Sequence, residues 1–214
     1  MRKSSLASIP VFTFGALQKA PRDFAPLGIE SLDCGMDGIA RGAITEISGA
    51  RSCGKTTLAL AAMAASTRRG EYCAYVDTAN TLDVRSADGA GMEFSRLAWV
   101  RCDGNLRAAC KVADILLHAG GFGMVCLDIA NSPAMELNRI PPSYWFRFRK
   151  AVENTAAAFV VLSGQHLTGS ACARAIECRR SEAIWQGRLL QGANTQAIPR
   201  KPVRSAMTFL AKAM

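Results

Sequence analysis

The chain has 214 residues, half of them hydrophobic and 20% charged, a balance that supports a buried core and excludes the polar, core-poor composition of a disordered protein. Its 26 Lys and Arg against 17 Asp and Glu leave a formal charge of +9, which suits an anionic partner such as nucleic acid, or equally a solvated basic surface. The eight cysteines contain no C-x-x-C pair and only His118 and His166 stand beside them, which argues against zinc. Cys73 and Cys126 lie in apolar runs, where a thiol packs as a small hydrophobe, so the cysteines are read as reduced and the protein as cytoplasmic.

In chain order, residues 1–25 read as an N-terminal arm, with Pro10 and Pro21 breaking a mixed apolar and basic stretch. Pro10 also interrupts Leu6 to Leu17, and no small-residue cleavage site follows, so a secretion leader is not expected. The longest apolar run, Leu58 to Ala65, is too short to span a bilayer, and no membrane partner is expected. A core is expected over residues 26–190. Ala43 to Ser48 predicts a strand, and Lys55 to Arg69, closed by Gly70, a helix. Tyr72 to Val76 is the next strand, with Asp77 at its carboxyl end, and Leu97 to Arg101 a third. Apolar residues at Leu106, Ala109, Ala113, Leu116 and Leu117 mark one face of a helix that stops at Gly120-Gly121. Met124 to Leu127 runs into Asp128. Ser143 is expected to cap a helix through Ala157, and Phe159 to Leu162 is a fifth strand with Gln165 just beyond it.

Ala173 to Arg179 and Ala183 to Leu190 read as strands joined without helices, and residues 191–214 as a basic C-terminal tail. Short, continuously apolar strands separated by helices predict a doubly wound, mostly parallel α/β sheet covered on both faces, finishing with antiparallel strands at its C-terminal end.

The segment Gly49-Ala50-Arg51-Ser52-Cys53-Gly54-Lys55-Thr56 satisfies G-x4-G-K-[ST] between a predicted strand and a predicted helix. Glycines let successive amides and the helix amino terminus face phosphate oxygens. ATP phosphates are therefore expected on the loop formed by Gly49, Arg51, Ser52, Cys53 and Gly54, with Lys55, Thr56 and Thr57 following. Lys55 would meet the outer phosphates, and the Thr56 hydroxyl would ligate Mg2+. A second carboxylate for that metal is expected at the end of a neighbouring strand, and Asp128 fits.

Gly28-Ile-Glu-Ser-Leu-Asp33, Arg41 to Gly49, the loop itself, Cys73 to Asp83, Leu97 to Arg101, Asp128 and Val160 to Gln165 resemble, in order and spacing, the RecA recombinase family. The resemblance implies a RecA-like P-loop core that binds ATP with Mg2+, with Asp83 near the adenine and Gln165 sensing the terminal phosphate. Within that superfamily, Gly120 to Ala130 and Trp145 to Arg149 look more like the ImuA group, which accompanies translesion polymerases in the SOS response to DNA damage. RecA-family or polymerase proteins, single-stranded DNA and a further copy of the chain are the partners this implies.

One position departs from the family pattern. A glutamate that orients the attacking water is replaced by Ala79, and a methyl group cannot polarise water, so hydrolysis is expected to be slow or absent. Asp77, two residues earlier, is a candidate catalytic carboxylate acting through an intervening water. Arg147, Arg149 and Lys150 alternate with Trp145, Phe146 and Phe148, a pattern that suits single-strand stacking and, by preference here, an amphipathic helix with its aromatics in the core. An accessory ATP-binding protein of DNA repair is the leading expectation, a filament-forming DNA-dependent ATPase the second, and a small-molecule kinase the third.

Overall fold

The computed structural model describes residues 23–212; the expected arm lies outside them up to residue 22. The elements are β1 (Phe24–Ala25), α1 (Glu30–Asp33), β2 (Ile39–Ala40), β3 (Ala43–Ser48), α2 (Lys55–Arg68), β4 (Tyr72–Asp77), α3 (Val84–Gly89), β5 (Leu97–Arg101), α4 (Leu106–Ala119), β6 (Phe122–Asp128), α5 (Ala134–Leu137), α6 (Pro142–Val152), β7 (Ala158–Ser163), β8 (Arg174–Gln186), β9 (Leu189–Lys201) and β10 (Met207–Lys212). Apart from the short β1–β2 pair, the strands form one sheet in the order β10-β9-β8-β3-β7-β6-β4-β5. Pairing is parallel from β8 through β5 and antiparallel along β8, β9 and β10.

Burial on both faces explains why the central strands are apolar throughout. Alternate residues point to opposite sides of a strand, so Met124 and Cys126 of β6 join a core with Leu58 and Met63 of α2. Val125 and Leu127 join a second core with Ala109 of α4 and Phe148 of α6. The helix ends follow local chemistry: Asn105 caps α4 by accepting from the Ala108 amide at 2.9 Å. No helix among the described residues is long and apolar enough to cross a membrane.

Three expectations need correcting. Residues 173–190 hold one long strand, β8, and the start of β9; they reverse at the two-residue turn Gly187-Arg188, where Gly187 takes a positive φ of 60°. The glycine inside an apparent strand was the turn. The basic tail expected over 191–214 is, as far as residue 212, mostly sheet: Thr195, Ala197 and Pro199 of β9 are buried at a period of two, and Phe209 of β10 is buried with them. Finally, Ser143 does not cap α6. The helix starts with Pro142 in its first turn, no side chain caps it, and it ends at Val152, with Asn154 in the left-handed region.

In α6, Trp145 and Phe148 are buried, Phe146 is exposed with the Arg149 guanidinium over its ring, and Arg147 pairs with Asp114 of α4. The amphipathic arrangement holds. Phe148 meets Tyr144, Trp145 and Phe159 edge-on, with ring centroids 6.2, 5.9 and 5.4 Å away. Replacing it by alanine opens a cavity across the α6–sheet seam, and Phe148→Ala should lower unfolding stability by about 3–5 kcal/mol in a denaturant titration; a loss below about 1 kcal/mol would mean that this seam is not tightly packed.

Candidate phosphate-loop site

All six residues of β3 are buried, and the strand delivers the chain to Gly49 at the carboxyl end of the sheet. The loop that follows turns through left-handed conformations at Ser52 (φ 56°) and Gly54 (φ 83°) before α2 begins. Space is as restrictive as backbone angle. A Cβ on Gly49 would collide with the Cys178 carbonyl and stand 2.6 Å from the Cys53 Sγ; one on Gly54 would stand 2.8 Å from the Thr195 Oγ1. Strands β8 and β9 thus press the loop against α2, and only bare backbone fits at these two points. Gly54 is the N-cap of α2 and no side chain caps that terminus, so its first-turn amides are open to an anion.

Lys55 is 6% exposed and its Nζ donates to the Ala50 carbonyl at 2.9 Å, folding back over the loop. Arg51 and Ser52 are exposed, Cys53 is buried, and Thr56 and Thr57 are half-buried. The two threonines line a cavity of about 370 Å3 with Gly28, Ile29, Ser86 and Ala90. Asp83, expected near the adenine, caps α3: its carboxylate accepts from the amides of Arg85 and Ser86 and from the Ser86 hydroxyl at 2.6 Å. Those bonds, the hydroxyl's foremost, hold its carboxyl below the usual range. Its cap partner Ser86, and not Asp83 itself, lines the cavity.

Asp128 closes β6 in register with Asp77 of β4 and Leu162 of β7. It accepts from the Tyr75 hydroxyl at 2.6 Å and the Ala130 amide at 3.0 Å. Burial pushes this carboxyl above its ordinary range; the Tyr75 and Ala130 bonds pull it back, Asp77 pushes it further up, and the Lys55 charge draws it down. Asp77 has a different setting. It is fully buried, and it accepts from the amides of Thr81 and Leu82 at 3.0 and 2.9 Å and from the Trp99 Nε1 at 3.2 Å. Both its oxygens are committed to shaping the turn that carries half-buried Ala79.

Gln165 is exposed, its Nε2 lying 3.4 Å from the Asn138 Oδ1. With His166 it borders a cavity of about 480 Å3 whose other walls include Gly49, Ala50, Glu177 and Arg200. The structure so brings Gln165 to the mouth of the loop. Sequence reading missed what holds it there. Glu46, in the middle of β3 and wholly buried, accepts from the Ser163 hydroxyl (3.0 Å), the Leu167 amide (2.7 Å), and the Thr168 amide and hydroxyl (3.2 and 2.6 Å), and pairs with His166 Nδ1 at 2.5 Å. A charge inside an apolar strand was the available signal, since a buried carboxylate must find donors. Glu177 was missed too; it accepts from Arg179 and Arg200 at 2.5 and 2.7 Å, which holds its carboxyl low.

A mostly parallel sheet whose central strand opens through G-x4-G-K-[ST] into a helix, with an aspartate closing a nearby strand, defines a RecA-like P-loop protein. The family model for the RecA N-terminal domain matches residues 9–139, and the chain belongs to that family. It is 35% identical over 119 residues to the plasmid protein RecA of Lactococcus lactis subsp. lactis, covering 54% of this chain and 35% of that protein. It is 38% identical over 112 residues to the protein RecA of Acidothermus cellulolyticus, covering 51% and 32%. The match thus spans about a third of the length of these curated relatives. The crystal structure of the RadB recombinase superposes with a TM-score of 0.67 at 18% identity, covering 89% of this chain and 96% of that one, which establishes the shared fold.

Tyr75 offers a direct probe of the buried carboxylate. Burial favours the neutral form of Asp128, so its contribution to stability is largest below the unfolded carboxylate range and is lost as the pH rises through the raised folded pKa. The Tyr75 hydroxyl offsets part of that loss. Tyr75→Phe should cost about 1–3 kcal/mol at neutral pH and clearly less near pH ~4, read by urea unfolding at both; a cost independent of pH would show that the bond does not stabilise the ionised carboxylate.

Proposed function

We propose that the chain is an ATP-binding RecA-type protein of DNA repair, an accessory factor of the ImuA type acting in the cytoplasm through DNA and protein partners, with slow or absent turnover. The observation that carries this reading is the loop: bare backbone at Gly49 and Gly54, uncapped amides at the start of α2, and Lys55 folded back over the loop onto the Ala50 carbonyl. These residues fit a magnesium nucleotide. The amides of Arg51 through Thr57 and Lys55 would hold the phosphates, while Thr56 and Asp128 would hold the metal, which supplies charge neutralisation at the outer phosphates. Gln165, which borders one cavity with Gly49 and Ala50, would register the end of the phosphate chain and pass it to the loop that Glu46 anchors.

Slow turnover follows from two neighbours. Ala79 has no group with which to orient water, and the three donors on Asp77 leave it shaping a turn instead of facing the loop. Asp83 is proposed to act on the base side only indirectly, by fixing Ser86. The formal charge of +9 supports a polyanionic partner bound chiefly through phosphate, and exposed Phe146 with Arg149 is a candidate stacking point, whereas buried Trp145 is not. A DNA-dependent ATPase that forms filaments is the second reading; the RecA relatives support it.

Single-turnover hydrolysis of Mg·ATP, with and without single-stranded DNA, tests the reading. Wild type should bind nucleotide, gaining about 2.7 kcal/mol at a hundred times its dissociation constant, yet hydrolyse slowly whether or not DNA is present. Lys55→Ala should abolish the stabilisation, and Ala79→Glu should speed hydrolysis at least tenfold with little change in affinity, since a water-orienting group acts mainly in the transition state. Robust wild-type turnover stimulated by DNA would favour the ATPase, and an undiminished stabilisation of Lys55→Ala would remove the phosphate-loop assignment.

A further inference from the structure

Three kinds of metal-binding side chain, far apart in the sequence, meet beside the segment that carries Gln165. Glu46 comes from the middle of β3, His166 from the segment after β7, and Cys172 from the turn that leads into β8. Their donor atoms, a carboxylate oxygen, an imidazole nitrogen and a thiol sulfur, all lie within 4.8 Å of one another. The Glu46 Oε2 stands 2.5 Å from the His166 Nδ1, and the Cys172 thiol donates to the Gly169 carbonyl at 3.3 Å. Glu46 and Cys172 are buried, whereas the His166 side chain is 51% exposed and lines the cavity of about 480 Å3 that Gly49 and Gln165 also border. The cluster is held from outside. Ser163 and Leu167 donate to one Glu46 oxygen and Thr168 to the other. The Ala173 amide donates to the Ile44 carbonyl at 2.9 Å, and the Lys201 Nζ to the Cys172 carbonyl at 2.5 Å, which fixes the backbone on both sides of the thiol. Among the described residues the ion partner of Glu46 is His166, and a neutral imidazole leaves the buried carboxylate without a counter-charge.

We propose that Glu46, His166 and Cys172 bind a zinc ion, which ties β3, the segment after β7 and the start of β8 together beside Gln165. Thiolate, imidazole and carboxylate are ligands that zinc takes, and three of them leave a fourth tetrahedral position. That position opens past His166 to the cavity, which supplies the entry path and room for a water. Two ligand atoms of one zinc stand about 3–4 Å apart, so binding parts the Glu46 oxygen from the imidazole. The exposed ring is the member with room to swing. On binding, the Cys172 thiol proton passes to solvent, and His166 ligates through Nδ1 with its hydrogen on Nε2. Zn2+ then meets one carboxylate and one thiolate, and the charges cancel. The donors from Ser163, Leu167 and Thr168 stay on Glu46, as groups that orient a ligating carboxylate. Cysteine spacing does not reveal such a site, because each ligand comes from a different segment and the parallel pairing of β3 with β7 and β8 assembles them. The site stands independently of the nucleotide reading.

The test uses the full chain carrying Cys34→Ser, which removes the exposed thiol. The reduced protein is stripped of metal with a chelator and titrated with Co2+ as a spectroscopic probe, then with Zn2+. The expected result is one Co2+ per chain with a sulfur-to-cobalt charge-transfer band in the near ultraviolet, bleached by one equivalent of Zn2+. Adding Cys172→Ser should abolish the band. His166→Ala, at an exposed position, should leave the circular dichroism spectrum unchanged and weaken Zn2+ binding at least about tenfold in competition with a chromogenic chelator. Absence of the band, a band that survives Cys172→Ser, or an unchanged Zn2+ affinity in folded His166→Ala would overturn the proposal. Should Cys172→Ser lose its native circular dichroism, His166→Ala decides alone: weakened binding supports the site, and unchanged binding overturns it.

Discussion

The site depends on one steric constraint: at the carboxyl end of β3 the chain must turn back into α2 through a gap that β8 and β9 leave no wider than a bare backbone. Any Cβ at Gly49 or Gly54 would meet atoms of Cys53, Cys178 or Thr195. With side chains excluded, backbone amides are what the loop can present, and an amide cradle at a helix amino terminus attracts anions. The glycines of the motif are thus required twice, by their conformation and by the two strands that confine them. Lys55 then folds back over the cradle, and Asp128 closes β6 two strands away from β3.

Around that cradle the buried polar groups divide into those that hold the scaffold and those left for a ligand. Glu46 takes donors from the end of β7 and the segment after it, so the loop bearing Gln165 is tied to the same strand that delivers Gly49. Asp77 does the equivalent for the turn after β4. Breaking a buried, multiply bonded carboxylate is costly because its donors lose their partner together. Both residues are positioning groups: they act on the site through the segments they shape.

Much of this was legible in the sequence where the signal was local. The strand-loop-helix around G-x4-G-K-[ST], the position of Asp128 at a strand end and the burial pattern of α6 depend on neighbours a few residues apart. The hairpin of β8 and β9 was misread because Gly187 interrupts a run that alternates on both sides, and a turn of two residues leaves almost no compositional trace. The role of Glu46 was invisible for another reason: its donors lie more than a hundred residues away in the chain, and only the parallel pairing of β3 with β7 brings them together. Asp83 and Asp77 take their bonds from the amides of the turns that follow them and from the Ser86 hydroxyl and the Trp99 Nε1, an outcome that spacing does not encode.

The central claim, that the backbone between Gly49 and Thr57 receives the phosphates of Mg·ATP, is tested most directly by an amide-resolved NMR titration of the isotopically labelled chain with Mg·ATP. The largest shifts should fall on Gly49, Ser52, Gly54, Lys55 and Thr56, with smaller ones at Gln165 and in the segment after Asp128, and with little change in the hairpin turn at Gly187. Saturable shifts clustered elsewhere with the loop amides unmoved would contradict it.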